Sequence, residues 1–180
     1  MIVLIAFATI EGHTGDIARR IAAQVEEAGH QVILADLSQP GFGLPGQIDA
    51  AILAAPIHVG RYPPQMVRFV QDWKSDLSAV PSALVTVSLA IASQNAEERE
   101  EAAGYPERLR SEAGWVPAHL HHAAGALKYL EYDFFKRYML RRIAEKEGGP
   151  IDTWRDHELT DWKALAGFVH SFLAQAARKA

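Results

Sequence analysis

The chain opens on an apolar run, Ile2 to Phe7, that breaks at once into small and hydroxyl-bearing residues: Ala8, Thr9, Gly12 and Thr14. A helical pattern follows directly. That order predicts a buried strand, a tight loop and a helix N-terminus. The first backbone N–H groups of a helix have no partner inside it, and the helix dipole adds partial positive charge. Such a loop suits a phosphate. Thr9 and Thr14 add hydroxyl donors without adding charge, so the anion would be held mainly by neutral groups.

The rest of the chain repeats the alternation. Helical spacing predicts a helix over Asp16–Ala28, with Ile17, Ile21, Ala22 and Val25 on one side and Gly29 as its stop. Gln31–Asp36 reads as strand 2, and Ala50–Ala55 as a strand covered on both faces. A second helix is expected over Gln65–Trp73 and a fourth strand over Ser82–Ala90. An acidic helix follows over Ala96–Ala113, interrupted near Gly104 and Pro106. A fifth strand is expected over Pro117–Ala124, a basic helix over Phe134–Lys146 and a closing helix over Trp162–Ala177. Strands that alternate with helices predict an α/β fold: a doubly wound five-stranded parallel sheet with helices on both faces. One domain over residues 1–180 is expected. The stretch 125–161 exceeds what a crossover needs and reads as a helical insertion after strand 5.

Ligands in such a sheet sit at the carboxyl ends of the strands. Three loops there are candidates, with Gly125–Tyr129 nearby. The first comprises Thr9, Ile10, Glu11, Gly12, His13 and Thr14. It lacks the Gly-Lys-Ser/Thr ending of a triphosphate loop and is not GxGxxG. Glu11 should turn to solvent, because a carboxylate repels a phosphate. His13 either donates to the phosphate or sits exposed at the helix start. The second loop is Pro56, Ile57, His58, Val59, Gly60, Arg61 and Tyr62. Small residues let its backbone approach a flat ring, which Ile57, His58 and Tyr62 would frame; the alternative is a turn that merely caps the next helix. The third loop, Ser88, Leu89, Ala90, Ile91, Ala92 and Ser93, is permissive for recognition of a ring edge by backbone groups.

Composition narrows the chemistry. The chain has no cysteine, which removes disulfides, thiol redox and cysteine-based metal sites. Redox work would need a bound cofactor. A net charge of −4 gives no footprint for nucleic acid. His119, His121 and His122 invite a metal reading, but no carboxylate stands at ligand spacing, and packed histidines are expected instead. No apolar run reaches the ~20 residues of a spanning helix, and no secretion signal is evident, so a cytoplasmic protein is expected. The basic, aromatic run Phe134–Ile143 is either a solvated helix face or a surface for anionic lipid or substrate.

Several segments together resemble one family, the flavodoxin-like, quinone-linked protoporphyrinogen IX dehydrogenases of heme biosynthesis. The strand, threonine, glycine, threonine order of the first loop fits, as does Ala55–Tyr62. The most specific segments are Gly125–Tyr129 followed by Tyr132, Arg137, Met139 and Ile143, then Gly148-Gly149, Asp152-Thr153 and Thr160-Asp161-Trp162. The resemblance implies a flavodoxin-like fold and an FMN cofactor, with its phosphate near Thr9, Gly12, His13 and Thr14. Pro56–Tyr62 and Ser88–Ala92 would flank the ring. It implies a porphyrinogen as electron donor, a quinone such as menaquinone as acceptor, and peripheral contact with the inner face of the cell membrane. Arg61, Lys128, Arg137, Arg141 and Arg142 are then candidates to anchor propionates, with Tyr129 beside them. His58 and Tyr129 are the conceivable bases. Two other readings stay open: a flavodoxin-type electron carrier, which the acidic run Glu97–Glu101 suits, and an NAD(P)H:quinone reductase.

Overall fold

Five parallel strands form the sheet, in the order β2-β1-β3-β4-β5. They are β1 (Ile2–Phe7), β2 (Gln31–Asp36), β3 (Ala50–Pro56), β4 (Ser82–Ser88) and β5 (His119–Ala124). The helices are α1 (His13–Glu27), α2 (Pro64–Ala79), α3 (Ala96–Ala103), α4 (Tyr105–Ala113) and α5 (Trp162–Ala176). This computed structural model describes residues 1–39, 42–43, 46–93, 95–127 and 157–178. The expected basic helix over 134–146 lies outside them.

The two faces of the sheet follow from strand alternation. Val3, Ile5 and Phe7 of β1, with Ile52, Ala54, Val85 and Val87, point toward α1 and α5 and bury against Ile17, Ile21, Val25, Leu165 and Phe172. Leu4, Ala6, Leu53 and Leu84 point the other way, into a cluster with Met66, Phe69, Leu109 and Trp115 from the α2–α4 side. Each of the large side chains contributes about 1.5–3 kcal/mol by leaving water. Burial on both sides is why β3 and β4 read as continuous apolar runs rather than alternating ones.

Element boundaries differ from expectation where backbone geometry intervenes. α1 starts at His13, not Asp16, because Gly12 adopts a left-handed φ of 88° and turns the chain straight into the helix. α2 runs on to Ala79 beyond a kink at Trp73, and so brings Leu77 into the core. β4 ends at Ser88; the chain then folds into one tight helical turn, Ala90–Ala92. The acidic helix is two helices divided at Gly104. β5 begins at His119 rather than Pro117, a residue with no N–H to donate. Within the insertion, Ala126–Leu127 (β6) pairs antiparallel with His157–Glu158 (β7), so its two ends lie side by side.

The three β5 histidines are packed. His119 meets the Phe172 ring edge-on at 5.4 Å, and His121 stacks on Phe168 at 5.0 Å. The His122 Nδ1 lies 2.7 Å from the Thr86 hydroxyl. Burial holds His121 and His122 below the ordinary histidine range, with mutual repulsion adding to it at His121. The folded protein therefore binds fewer protons than the unfolded chain once the pH drops through about 6.5, the unfolded histidine value. Stability from these groups is complete above that pH and lost below it. The melting temperature should fall between pH 7 and pH 5.5. The fall should be shallower in His121→Phe, which keeps the stacked ring without the titration. Parallel curves for the two proteins would refute this account.

Candidate functional site

Because β1, β3, β4 and β5 are neighbours, the loops at their carboxyl ends stand side by side. Backbone bonds tie the edge together: Ala8 N to Ala54 O at 3.1 Å, Ile57 N to Val87 O at 2.8 Å and Gly125 N to Ser88 O at 3.3 Å.

The first loop is braced from within. The Thr9 hydroxyl oxygen accepts from the Gly12 N–H at 2.9 Å, which leaves its proton to donate elsewhere. The first rung of α1 is Asp16 N to Gly12 O at 3.1 Å, so the N–H groups of His13, Thr14 and Gly15 lie outside the helical ladder. No side chain caps this terminus. Gly15 lets the helix approach β1 closely, since a Cβ there would stand 3.3 Å from the Phe7 ring. The loop holds no lysine or arginine. The nearest cations along α1 are engaged, Arg19 with Asp16 at 2.6 Å and Arg20 over the Trp162 ring at 5.8 Å. The arrangement offers neutral donors to an anion, which fits the phosphate of a flavin mononucleotide.

Glu11 is partly exposed. His13 is buried instead of exposed, and its Nε2 lies 2.8 Å from the Thr160 hydroxyl. Thr14 is buried at the second helical position, and Ile10 stands half exposed at the loop tip.

In the second loop, His58 and Arg61 exchange backbone hydrogen bonds of 3.0 and 3.1 Å around Val59 and Gly60. Both central residues have positive φ, 50° and 72°, the pattern of a tight two-residue hairpin turn. Valine there is strained, by roughly 1–3 kcal/mol, and its side chain is 86% exposed. Arg108 of α4 donates to the Gly60 carbonyl at 2.6 Å and pairs with Glu101 at 3.1 Å, so the acidic helices hold this turn in place. His58 and Arg61 are exposed, with Pro56 and Ile57 partly so. Tyr62 does not frame an opening: it is buried in the core among Met66 and Leu109, and burial pushes its phenol well above the usual range. In the third loop, Ser88 is buried and Leu89, Ala90 and Ile91 are partly buried, while Ala92 is exposed. Leu89 packs against Gly125. Lys128, Tyr129, Arg137, Arg141 and Arg142 lie outside the described residues.

The flavodoxin-domain family matches residues 4–153. The chain belongs to that family. This flavodoxin domain is 29% identical over 166 residues to the protoporphyrinogen IX dehydrogenase (quinone) of Escherichia coli strain K12, covering 92% of the chain and 91% of that protein. The Leishmania major protein of the same name is 28% identical over 172 residues, 95% of the chain and 74% of its own length. Among solved structures, oxidised flavodoxin 1 of Bacillus cereus superposes with a TM-score of 0.59 at 17% identity, covering 97% of this chain and 98% of the other. A Fusobacterium nucleatum flavodoxin bound to flavin mononucleotide superposes at 0.53 and 11% identity, over 99% and 96%. Those two likenesses concern the fold.

Thr160, whose hydroxyl meets His13 at the start of α1, is a residue that sequence reasoning did not single out beside this loop. It appears in the Thr160-Asp161-Trp162 run, whose local signal is a helix start: the Asp161 carboxylate accepts from Ala164 N at 2.9 Å and caps α5.

Proposed function

We propose that this protein is an FMN-dependent oxidoreductase that oxidises protoporphyrinogen IX to protoporphyrin IX and passes the electrons to a quinone such as menaquinone. What carries the reading is a likeness spanning nearly the whole chain to proteins of that name, joined to a phosphate loop built of neutral donors. When bound, the flavin supplies the two-electron chemistry; the protein supplies position and electrostatics.

The N–H groups at the start of α1 and the Thr9 hydroxyl hold the phosphate. The Pro56–Arg61 and Ser88–Ala92 loops flank the ring. Ile10 and Val59, apolar and exposed at adjacent loop tips, suit a flat apolar donor or a quinone tail. Arg61, exposed at the rim, offers a cation to a propionate, with Lys128, Arg137 and Arg141 proposed for the same work from the insertion. Exposed His58 is the candidate proton carrier in this loop. Among the described residues no helix is long and apolar enough to cross a membrane. A membrane-dissolved acceptor would then be met by peripheral contact at the inner face of the membrane.

The acidic residues Glu97, Glu98, Glu100 and Glu101 on α3 favour a second reading, an electron carrier that docks to a protein partner. Anaerobic stopped-flow separates the two. Protoporphyrinogen IX alone should bleach the flavin of the loaded protein; a menaquinone analogue should restore the yellow colour, and porphyrin fluorescence should rise only as it does so, because full oxidation removes six electrons and each flavin takes two. A flavin that stays oxidised with porphyrinogen, yet is reduced by a partner protein or by NADPH, would overturn the proposal.

A further inference from the structure

The insertion re-enters the sheet at Thr160, and this buried residue joins three distant parts of the chain. Its hydroxyl donates to the Ala124 carbonyl, at the end of β5, at 2.8 Å. A hydroxyl has one proton, so the 2.8 Å contact with His13 Nε2 requires the ring to be the donor and Thr160 the acceptor. His13 therefore carries a proton on Nε2. It is also the first residue of α1, in the turn proposed to hold the phosphate. Its ring meets Trp162 of α5 edge-on at 6.3 Å. One residue before Thr160, Leu159 N bonds Gly125 O at 3.3 Å, beside the β6–β7 pair. The opening turn of α1 is thus fastened to both ends of an insertion more than a hundred residues away.

We infer that Thr160 is a positioning residue for the cofactor phosphate: through His13 it orients the first turn of α1, and so couples the return of the insertion to occupancy of the cradle. The inference rests on the FMN-binding reading of the first loop. Coupling is reciprocal: what Thr160 contributes to the cradle, a bound phosphate returns as order in the segment around Thr160.

The test uses the full chain, with FMN and riboflavin affinities read by flavin fluorescence quenching. Thr160→Val, which keeps the shape and removes the hydroxyl, should weaken FMN about 10-fold, the worth of one buried hydrogen bond, and leave riboflavin unchanged. Thr160→Ser should bind FMN within about twofold of wild type, since the bridge is kept. In the wild-type protein, hydrogen exchange over residues 157–162 should slow on adding FMN and not on adding riboflavin, a readout that holds even if Thr160→Val folds poorly. Wild-type FMN affinity in Thr160→Val, equal loss of FMN and riboflavin, or exchange indifferent to FMN would overturn the inference while leaving the cofactor reading intact. Wild-type protein that takes up no FMN would overturn both.

Discussion

Thr9→Asp is expected to weaken FMN binding by about 100-fold and to leave riboflavin binding nearly unchanged. The substitution isolates charge from geometry. An aspartate oxygen can still accept the Gly12 N–H that the Thr9 hydroxyl accepts at 2.9 Å, so the loop keeps its brace. What changes is a negative charge placed roughly 5 Å from a phosphate, which at an effective dielectric near 20 costs about 3 kcal/mol. The loop contains no lysine or arginine to offset it. Quenching of flavin fluorescence measures both affinities. Equal losses for FMN and riboflavin would mean that the loop does not hold the phosphate. The penalty should shrink in high salt where the site is open to water.

Phe172→Ala should carry the largest cost to stability, about 3–5 kcal/mol. Phe172 is 1% exposed, at the centre of the face that α5 presents to the sheet. It packs in the cluster that includes Val85, Ala123 and Val169, and its ring receives His119 edge-on at 5.4 Å. Removing the ring leaves a cavity between elements that are pinned by strand pairing and cannot collapse fully. In a chain of this length the melting temperature should drop by roughly 10 °C. Phe172→Leu should recover most of that loss, because it refills much of the volume. A drop of under about 3 °C in Phe172→Ala would show that the α5 face is loosely packed. FMN affinity should change little in Phe172→Leu, since the residue touches no part of the phosphate loop described above.

The strands were legible because apolar runs in a sheet covered on both faces carry a strong local signal, as in Ile2–Phe7 and Ala50–Ala55. The helix starts were less so. Gly12 is an ordinary glycine on paper, and only its left-handed conformation brings His13 and Thr14 into the helix. Tyr62 shows the limit at the site. Its place beside a Pro/Gly turn suggests a ring-framing role, yet the start of α2 turns it under the loop and into the core. Periodicity tells which face of an element is buried; it carries no information on which distant residue will meet it.

Local chemistry along the chain was enough to specify a doubly wound sheet and an opening strand–loop–helix unit without lysine or arginine in its loop, because each depends on neighbours within a few residues. The Nε2 proton of His13, the grip of Arg108 on the Gly60 carbonyl and the junction of Thr160 with the end of β5 came only from the packed molecule. Those contacts join residues tens to more than a hundred positions apart, and their partners are selected by how the helices seat on the sheet.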